Sequence, residues 1–217
     1  MNIAQMIDHT CLNATAKEED IKKLCDEAKK YGFKTVCVPA CYVGMAAHLL
    51  SDSDVGVTTV VGFPLGNESA TSKVFAAKEA ILNGASDIDM VINIGALKDE
   101  KYEYVAYDIQ SVVKATKEIC SNVIVKVIIE TCYLTEEEIK KVCEIILNTG
   151  ADFIKTSTGF GSRGASVKDV QIIKGVVGDT MQIKASGGIK DLAMAKELIN
   201  AGASRLGTSR SIDIISE

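Results

Sequence analysis

The feature that most constrains this chain is a phrase that occurs three times: Asn83-Gly84-Ala85, Thr149-Gly150-Ala151 and Ala201-Gly202-Ala203. Each phrase closes a helical stretch, and a short β-rich run follows at once. Glycine just past a helix supplies the left-handed stop, and so short a turn back into a strand is the kind used between β/α units. The runs that read as strands are Ile7–Thr10, Thr35–Pro39, Val57–Phe63, Asp87–Asn93, Val123–Glu130, Asp152–Ser157, Gln182–Ser186 and Arg205–Thr208. Amphipathic segments lie between them at Glu18–Tyr31, Ser72–Asn83, Tyr104–Cys120, Thr135–Asn148, Val167–Val176 and Leu192–Asn200. In the first, Ile21, Leu24, Cys25 and Ala28 fall at helical spacing opposite a Lys/Glu face. Thr135 followed by Glu138 has the form of a capping box.

Eight strand–helix alternations in 217 residues predict an α/β fold, a single (β/α)8 TIM barrel spanning residues 1–217 as one domain. The rival, a doubly wound open sheet, calls for a GxGxxG loop after an early strand, and the sequence has none. No linker, charge run or low-complexity segment marks a domain boundary. With 47% hydrophobic residues, a chain of this length can bury a sizeable core.

A net charge of −5 gives no basic footprint, so neither nucleic acid nor an anionic membrane surface is an expected partner. A small anionic substrate would need a local cluster of donors. The N-terminus lacks a positive region followed by an apolar run, and no apolar stretch is long enough to span a bilayer. The chain therefore reads as soluble and cytoplasmic. Its cysteines, Cys11, Cys25, Cys37, Cys41, Cys120, Cys132 and Cys143, are odd in number and are expected as free thiols. Cys37 and Cys41 would need two further ligands to hold zinc, and the pattern supplies none, so no metal or cofactor is expected.

In a β/α barrel the chemistry sits at the C-terminal ends of the strands. Lys155 ends the apolar run Asp152-Phe153-Ile154 and faces the glycine-rich turn Ser157-Thr158-Gly159-Phe160-Gly161. An unpaired ammonium is costly to bury, so this lysine is either ion-paired or held partly neutral. Lys184 occupies the matching place on the next strand. Two neighbouring ammonium groups repel, and one should have a lowered pKa that frees a lone pair for attack on a carbonyl. The alternative is that each lysine pairs with a separate carboxylate. Asp89 lies mid-strand on the same face as Asp87 and Val91, where a carboxylate is not expected to be merely solvated, and its structural reading is a buried salt bridge to a barrel lysine such as Lys126. Gly159, Gly187, Gly188 and Gly207 allow backbone N–H groups to approach an anion, and Ser209 adds a hydroxyl. The alternative is a set of ordinary tight turns. Arg210 either adds an anion contact or points to solvent.

The motifs Ile7-Asp8-His9-Thr10-Cys11-Leu12, Val36-Cys37-Val38-Pro39, Val61-Gly62-Phe63-Pro64-Leu65-Gly66, Asp87 to Leu97, Lys126 to Thr131, Lys155 to Phe160, Lys184 to Ile189 and Arg205 to Ser209 occur in order along nearly the whole chain. In this set and order the chain resembles the deoxyribose-phosphate aldolases. The resemblance implies a metal-free class I aldolase that cleaves 2-deoxy-D-ribose 5-phosphate reversibly to D-glyceraldehyde 3-phosphate and acetaldehyde, with a place in deoxyribonucleoside catabolism. It implies Lys155 as the Schiff-base lysine and Asp89 and Lys184 as proton-transfer residues. Gly159, Gly187, Gly188, Gly207 and Ser209 would line the phosphate pocket. Asp8 and Lys126 would be supporting charges, and Cys37 would lie nearby without a required role. The implied partners are the small phosphosugar and aldehyde substrates, and the implied assembly is a monomer or a homodimer.

Overall fold

A computed structural model describes residues 2–216. Among them, eight parallel strands close into a barrel in sequence order, with the last strand hydrogen-bonded to the first. The strands are β1 Ile7–Thr10, β2 Thr35–Val38, β3 Gly56–Val61, β4 Asp87–Val91, β5 Ile124–Ile128, β6 Phe153–Lys155, β7 Gln182–Ser186 and β8 Arg205–Thr208. The helices are α1 Glu18–Tyr31, α2 Val43–Leu49, α3 Ala70–Leu82, α4 Ile94–Lys98, α5 Tyr102–Ile119, α6 Glu136–Leu147, α7 Val167–Val177, α8 Leu192–Asn200 and α9 Ser211–Ser216. The expected (β/α)8 architecture is the observed one.

Local sequence explains the element ends. Three acidic residues open α1 and two lysines close it, both in keeping with the helix dipole. Its buried positions are Ile21, Leu24, Cys25 and Ala28, as the periodicity predicts. Both halves of the Thr135–Glu138 capping box are present at the start of α6. Gly84, Gly150 and Gly202 all have positive φ, at 103°, 80° and 122°. The repeated phrase is therefore a backbone requirement.

Several strands stop earlier than their apolar runs. β4 ends at Val91 because Asn93 turns to cap α4, its side chain accepting the Ala96 N–H at 2.9 Å. β5 ends at Ile128 and β6 at Lys155, although Ile129 and Thr156 still donate to the next strand. The short helices α2 and α4 carry no clear apolar period and contain Gly44 and Gly95, so the sequence pattern passes over them. All seven cysteines are free.

Alternation along the strands separates two interiors. Ile88 and Met90 of β4, Val125 and Val127 of β5, and Ile154 of β6 join the apolar cluster under the helices. Asp87, Asp89 and Lys126 alternate with them and are buried inside the barrel. The barrel thus has an apolar coat and, along part of its axis, a charged interior. Among the described residues no helix is long and apolar enough to cross a membrane.

The helix stops make a graded test. Gly150→Ala meets only ordinary contact, 3.5 Å from Val113, so its cost is that of a left-handed alanine, about 1 kcal/mol. At Gly84 an added Cβ would lie 2.7 Å from the Ala47 Cβ, so Gly84→Ala should lower stability further. Denaturant unfolding of the two variants checks the order.

Candidate active site

The site is built from register. Lys155 and Lys184 are direct neighbours across β6 and β7, and Asp89 and Lys126 are neighbours across β4 and β5. Closure of the barrel brings the two pairs together. Asp89 Oδ2 accepts from Lys155 Nζ and from Lys184 Nζ, each at 2.7 Å, while its Oδ1 accepts from Lys126 Nζ at 2.9 Å. Lys126 also meets Asp87 at 2.6 Å. Lys184 makes a short contact with Asp8, and Arg205 Nη1 reaches the other Asp8 oxygen at 2.8 Å. The Arg205 guanidinium lies over the Phe153 ring, 5.4 Å from its centroid.

The three carboxylates Asp8, Asp87 and Asp89 thus face four cationic side chains, Lys126, Lys155, Lys184 and Arg205. One positive charge is in excess, in a region with almost no solvent. Burial pushes the Asp89 carboxyl up, but the ammonium groups of Lys126, Lys155 and Lys184 outweigh it and hold the group well below its usual range. Asp8 is likewise lowered, with Lys184, Lys126 and Arg205 overcoming its burial. Burial pulls Lys184 down, yet Asp8 and Asp89 raise it above a free lysine, and Asp87, Asp89 and Asp8 do the same for Lys126. Lys155 alone among these lysines ends lowered. Burial is the largest cause, Asp89 opposes it, and Lys184 adds to it. Like-charge repulsion predicts that one of the two neighbouring lysines is lowered; the structure makes it Lys155, and desolvation contributes more than the neighbouring ammonium. Asp89 pairs with Lys126 through one oxygen, as its structural reading expects, and with Lys155 and Lys184 through the other.

Lys155 is also the member of the network that lines an open cavity. A cavity of about 400 Å³ opens at the C-terminal ends of β1, β6, β7 and β8. Lys155, Gly159, Gly187, Gly188, Gly207 and Ser209 all line it. Asp8, Asp89, Lys126 and Lys184 lie behind this wall, at most 1% exposed. Cys37 is also fully buried, and burial raises its thiol to about 11, so it is a poor nucleophile at neutral pH. Arg210 lines the mouth, with Nη1 3.3 Å from Asp213.

Gly207 has a second reason to be glycine. An added Cβ would stand 3.0 Å from Lys184 Cε and 2.9 Å from Ser186 Cβ, so its smallness gives Lys184 its path to Asp8 and Asp89. Ser186, buried, donates through Oγ to the Ser157 carbonyl at 2.6 Å and ties the β7 loop to the β6 loop. Thr208 Oγ1 donates to the Ile189 carbonyl and accepts the Arg210 N–H, each at 2.9 Å, which ties the β8 loop to the β7 loop.

The sequence reading gave no role to Arg205, Asp87 or Thr158. Arg205 stands two residues before Gly207 on β8, so strand alternation was the signal for its inward position. Ser211, His9 and Glu27 form a chain of 2.8 and 2.9 Å contacts that has the look of a catalytic triad. Ser211 is fully buried and hydrogen-bonds the Thr208 carbonyl, so the chain braces β1 against the β8 loop. Among the described residues no group of three or more histidine, cysteine or carboxylate side chains is placed to hold a metal ion.

Fold and site together describe a (β/α)8-barrel enzyme with a buried amine of lowered pKa at its mouth. Residues 2–210 match the sequence model of the DeoC/LacD family aldolases. The chain is 56% identical to the deoxyribose-phosphate aldolase of Carboxydothermus hydrogenoformans, over 98% of this chain and 93% of that protein. It is 54% identical to that of Thermococcus gammatolerans, over 99% and 96%. Among solved structures it superposes with a TM-score of 0.92 on the tetrameric deoxyribose phosphate aldolase from Aeropyrum pernix, at 30% identity and over 99% and 89% of the two chains. A protein described as QR15, an aldolase, gives 0.93 at 40% identity, over 99% and 94%. The chain belongs to the DeoC/LacD aldolase family and is a carbon–carbon lyase.

Lys126 gives a direct test of the charge network. Lys126→Met leaves Asp87 and Asp89 without their shared cation, and removing one partner of a buried pair costs about 3–5 kcal/mol. Thermal and denaturant unfolding should show a loss of that size. A smaller loss than that of an exposed pair such as Lys114–Glu118 would mean that Lys126 does not stabilise the fold through its buried carboxylates.

Proposed function

We propose that the protein is a class I aldolase that reversibly cleaves 2-deoxy-D-ribose 5-phosphate to D-glyceraldehyde 3-phosphate and acetaldehyde through a Schiff base on Lys155. The observation that carries the reading is the position of Lys155: of these buried lysines it is the one whose pKa is lowered, and it opens onto the cavity.

In the synthetic direction the neutral Lys155 Nζ attacks the acetaldehyde carbonyl, and the carbinolamine loses water to give an iminium. Loss of a methyl proton leaves an enamine, with the electron pair shifting toward nitrogen. The enamine carbon then bonds to the aldehyde carbon of glyceraldehyde 3-phosphate, whose oxygen takes up a proton. Water adds to the new iminium, and collapse of that adduct frees the sugar and restores the amine. The iminium is the electron sink, so the chemistry asks for no metal or organic cofactor.

Asp89 Oδ2 lies 2.7 Å from both Nζ atoms and is the group through which protons pass between Lys155, Lys184 and a water in the cavity. Lys184, held protonated by Asp8 and Asp89, stabilises negative charge developing on substrate oxygen. Gly159, Gly187, Gly188, Gly207 and Ser209 supply the phosphate pocket, with Gly188 free of any neighbour within 4 Å of an added Cβ. Cytoplasmic deoxyribonucleoside catabolism, one functional domain over residues 1–217, and a monomeric or homodimeric state belong to the same proposal.

Borohydride reduction in the presence of acetaldehyde tests the mechanism. Intact mass and peptide mapping should find a reduced two-carbon adduct on Lys155, absent in Lys155→Ala. A folded enzyme that turns over the sugar phosphate with no adduct would overturn the Schiff-base reading.

The electrostatics set a pH test with opposite signs. Trapping depends on neutral Lys155, so its rate should rise with pH and level off below the usual lysine range. Lys184→Met removes a cation that lowers Lys155, so its midpoint should move to higher pH. Asp89→Asn removes the carboxylate that raises Lys155, so its midpoint should move lower. Midpoints that move together, or not at all, would contradict this assignment.

A further inference from the structure

Glu130 carries backbone strain that nothing in its own element explains. It has φ 53° and ψ 68°, the left-handed region, and its side chain is not glycine's. Such a residue persists only where its surroundings hold it, and these outliers gather at functional sites. What holds Glu130 is the strand that carries Lys155. Ile129 N–H donates to the Lys155 carbonyl at 3.0 Å, and Thr131 N–H donates to the Thr156 carbonyl at 2.9 Å. The chain is pinned on both sides of Glu130, and the left-handed kink between the pins turns its side chain toward the β6 loop.

There the carboxylate, on a residue only 1% exposed, holds the β6 turn through one oxygen, while its Oε1 accepts from the Cys132 thiol at 3.7 Å. Its Oε2 accepts the Thr158 N–H at 3.2 Å and also the Thr158 hydroxyl. Thr158 Oγ1 in turn accepts the Phe160 N–H at 3.0 Å. The turn that encloses Gly159, with its φ of 88°, therefore hangs from one buried carboxylate. Gly161 is seated so closely that an added Cβ would come within 3.2 Å of the Glu130 carboxyl carbon. Farther along, Ala165 N–H donates to the Ser186 and Gly187 carbonyls, each at 3.0 Å. At Gly164 an added Cβ would stand 2.0 Å from Gly187 O. The β6 loop is thus fastened at one end by Glu130 and at the other by the backbone of the β7 loop.

We propose that Glu130 is a positioning residue for substrate phosphate: through Thr158 it sets the turn around Gly159 against Gly187 and Gly188. It does not touch the reacting atoms. This rests on the aldolase reading above and assigns one buried group to phosphate binding and none of the imine chemistry. Carboxylate acceptors make stronger hydrogen bonds than neutral ones, and an acceptor that serves two donors of one residue fixes a turn better than packing alone.

The test compares Glu130→Ala, Glu130→Gln, Thr158→Val and the Glu130→Ala/Thr158→Val pair. KM and kcat would be measured for 2-deoxyribose 5-phosphate and for unphosphorylated 2-deoxyribose, together with borohydride trapping of acetaldehyde on Lys155. Glu130→Ala should raise KM for the phosphorylated sugar about tenfold, the scale of one or two lost hydrogen bonds to a charged group. Its kcat and trapping rate, and its kcat/KM for the unphosphorylated sugar, should stay within about twofold of the parent. Glu130→Gln keeps an acceptor oxygen and should recover most of the loss. The double variant should be no worse than Glu130→Ala, because both changes cut the same link.

Equal losses on the two sugars, an unchanged KM, a collapse of trapping in a folded variant, or multiplicative losses in the pair would each overturn the proposal. Should Glu130→Ala not fold, Glu130→Gln and Thr158→Val carry the same comparison. Failure of the parent protein to trap acetaldehyde on Lys155 would instead sink the aldolase reading, so the two failures are distinguishable.

Discussion

The structure of the site depends on one shared oxygen, Asp89 Oδ2, which accepts from Lys155 and Lys184 at the same distance. Around it the barrel holds one more cation than it has carboxylates to balance. In a medium of low polarity such an excess is relieved by loss of a proton from the cation least compensated. Lys126 and Lys184 each contact two or more carboxylates, and Lys155 contacts one. Lys155 is therefore the group whose pKa is lowered, the property on which the proposed Schiff-base role draws.

This arrangement makes demands on the rest of the fold. Buried charges are tolerable only when their partners are fixed, and the parallel ladder fixes them by pairing Asp89 with Lys126 and Lys155 with Lys184 at adjacent positions. The apolar coat between strands and helices supplies rigidity, and the interior supplies the field. Glycine at 207 lets the Lys184 side chain pass, and the cross-links among the β6, β7 and β8 loops build the cavity wall above the charges. The loops that line the cavity and the charged network beneath them are thus two layers of one construction, joined at Lys155.

Much of this was legible in the sequence for physical reasons that particular residues display. The Gly-Ala helix stops at residues 84, 150 and 202 are local backbone requirements, so they could be read directly. Strand alternation put Asp87 and Asp89 on one face, and the position of Lys155 and Lys184 at the ends of apolar strands marked them as unusual. The strand ends were less legible, because Ile129 and Thr156 keep ladder-like bonds after regular structure has stopped. Arg205 was passed over although alternation points to it. Nothing local announces the kink at Glu130, since its cause is the neighbouring strand. The short helices α2 and α4 are too brief for an apolar period to register.

The sequence by itself determined the order of strands and helices, the closed barrel they imply, and the inward place of charges such as Asp89, Lys155 and Lys184, because periodicity and turn chemistry act over a few residues. The tertiary structure decided which charge meets which. Asp8 and Lys184 are 176 residues apart, and Asp89 and Lys184 are 95 apart. Their contacts exist only because β8 closes on β1. Whether Lys155 or Lys184 is the amine whose pKa falls follows from the carboxylates each one meets and from its burial. Both are properties of the closed barrel, since the strength of a charge interaction is set by distance and by the water excluded between the groups.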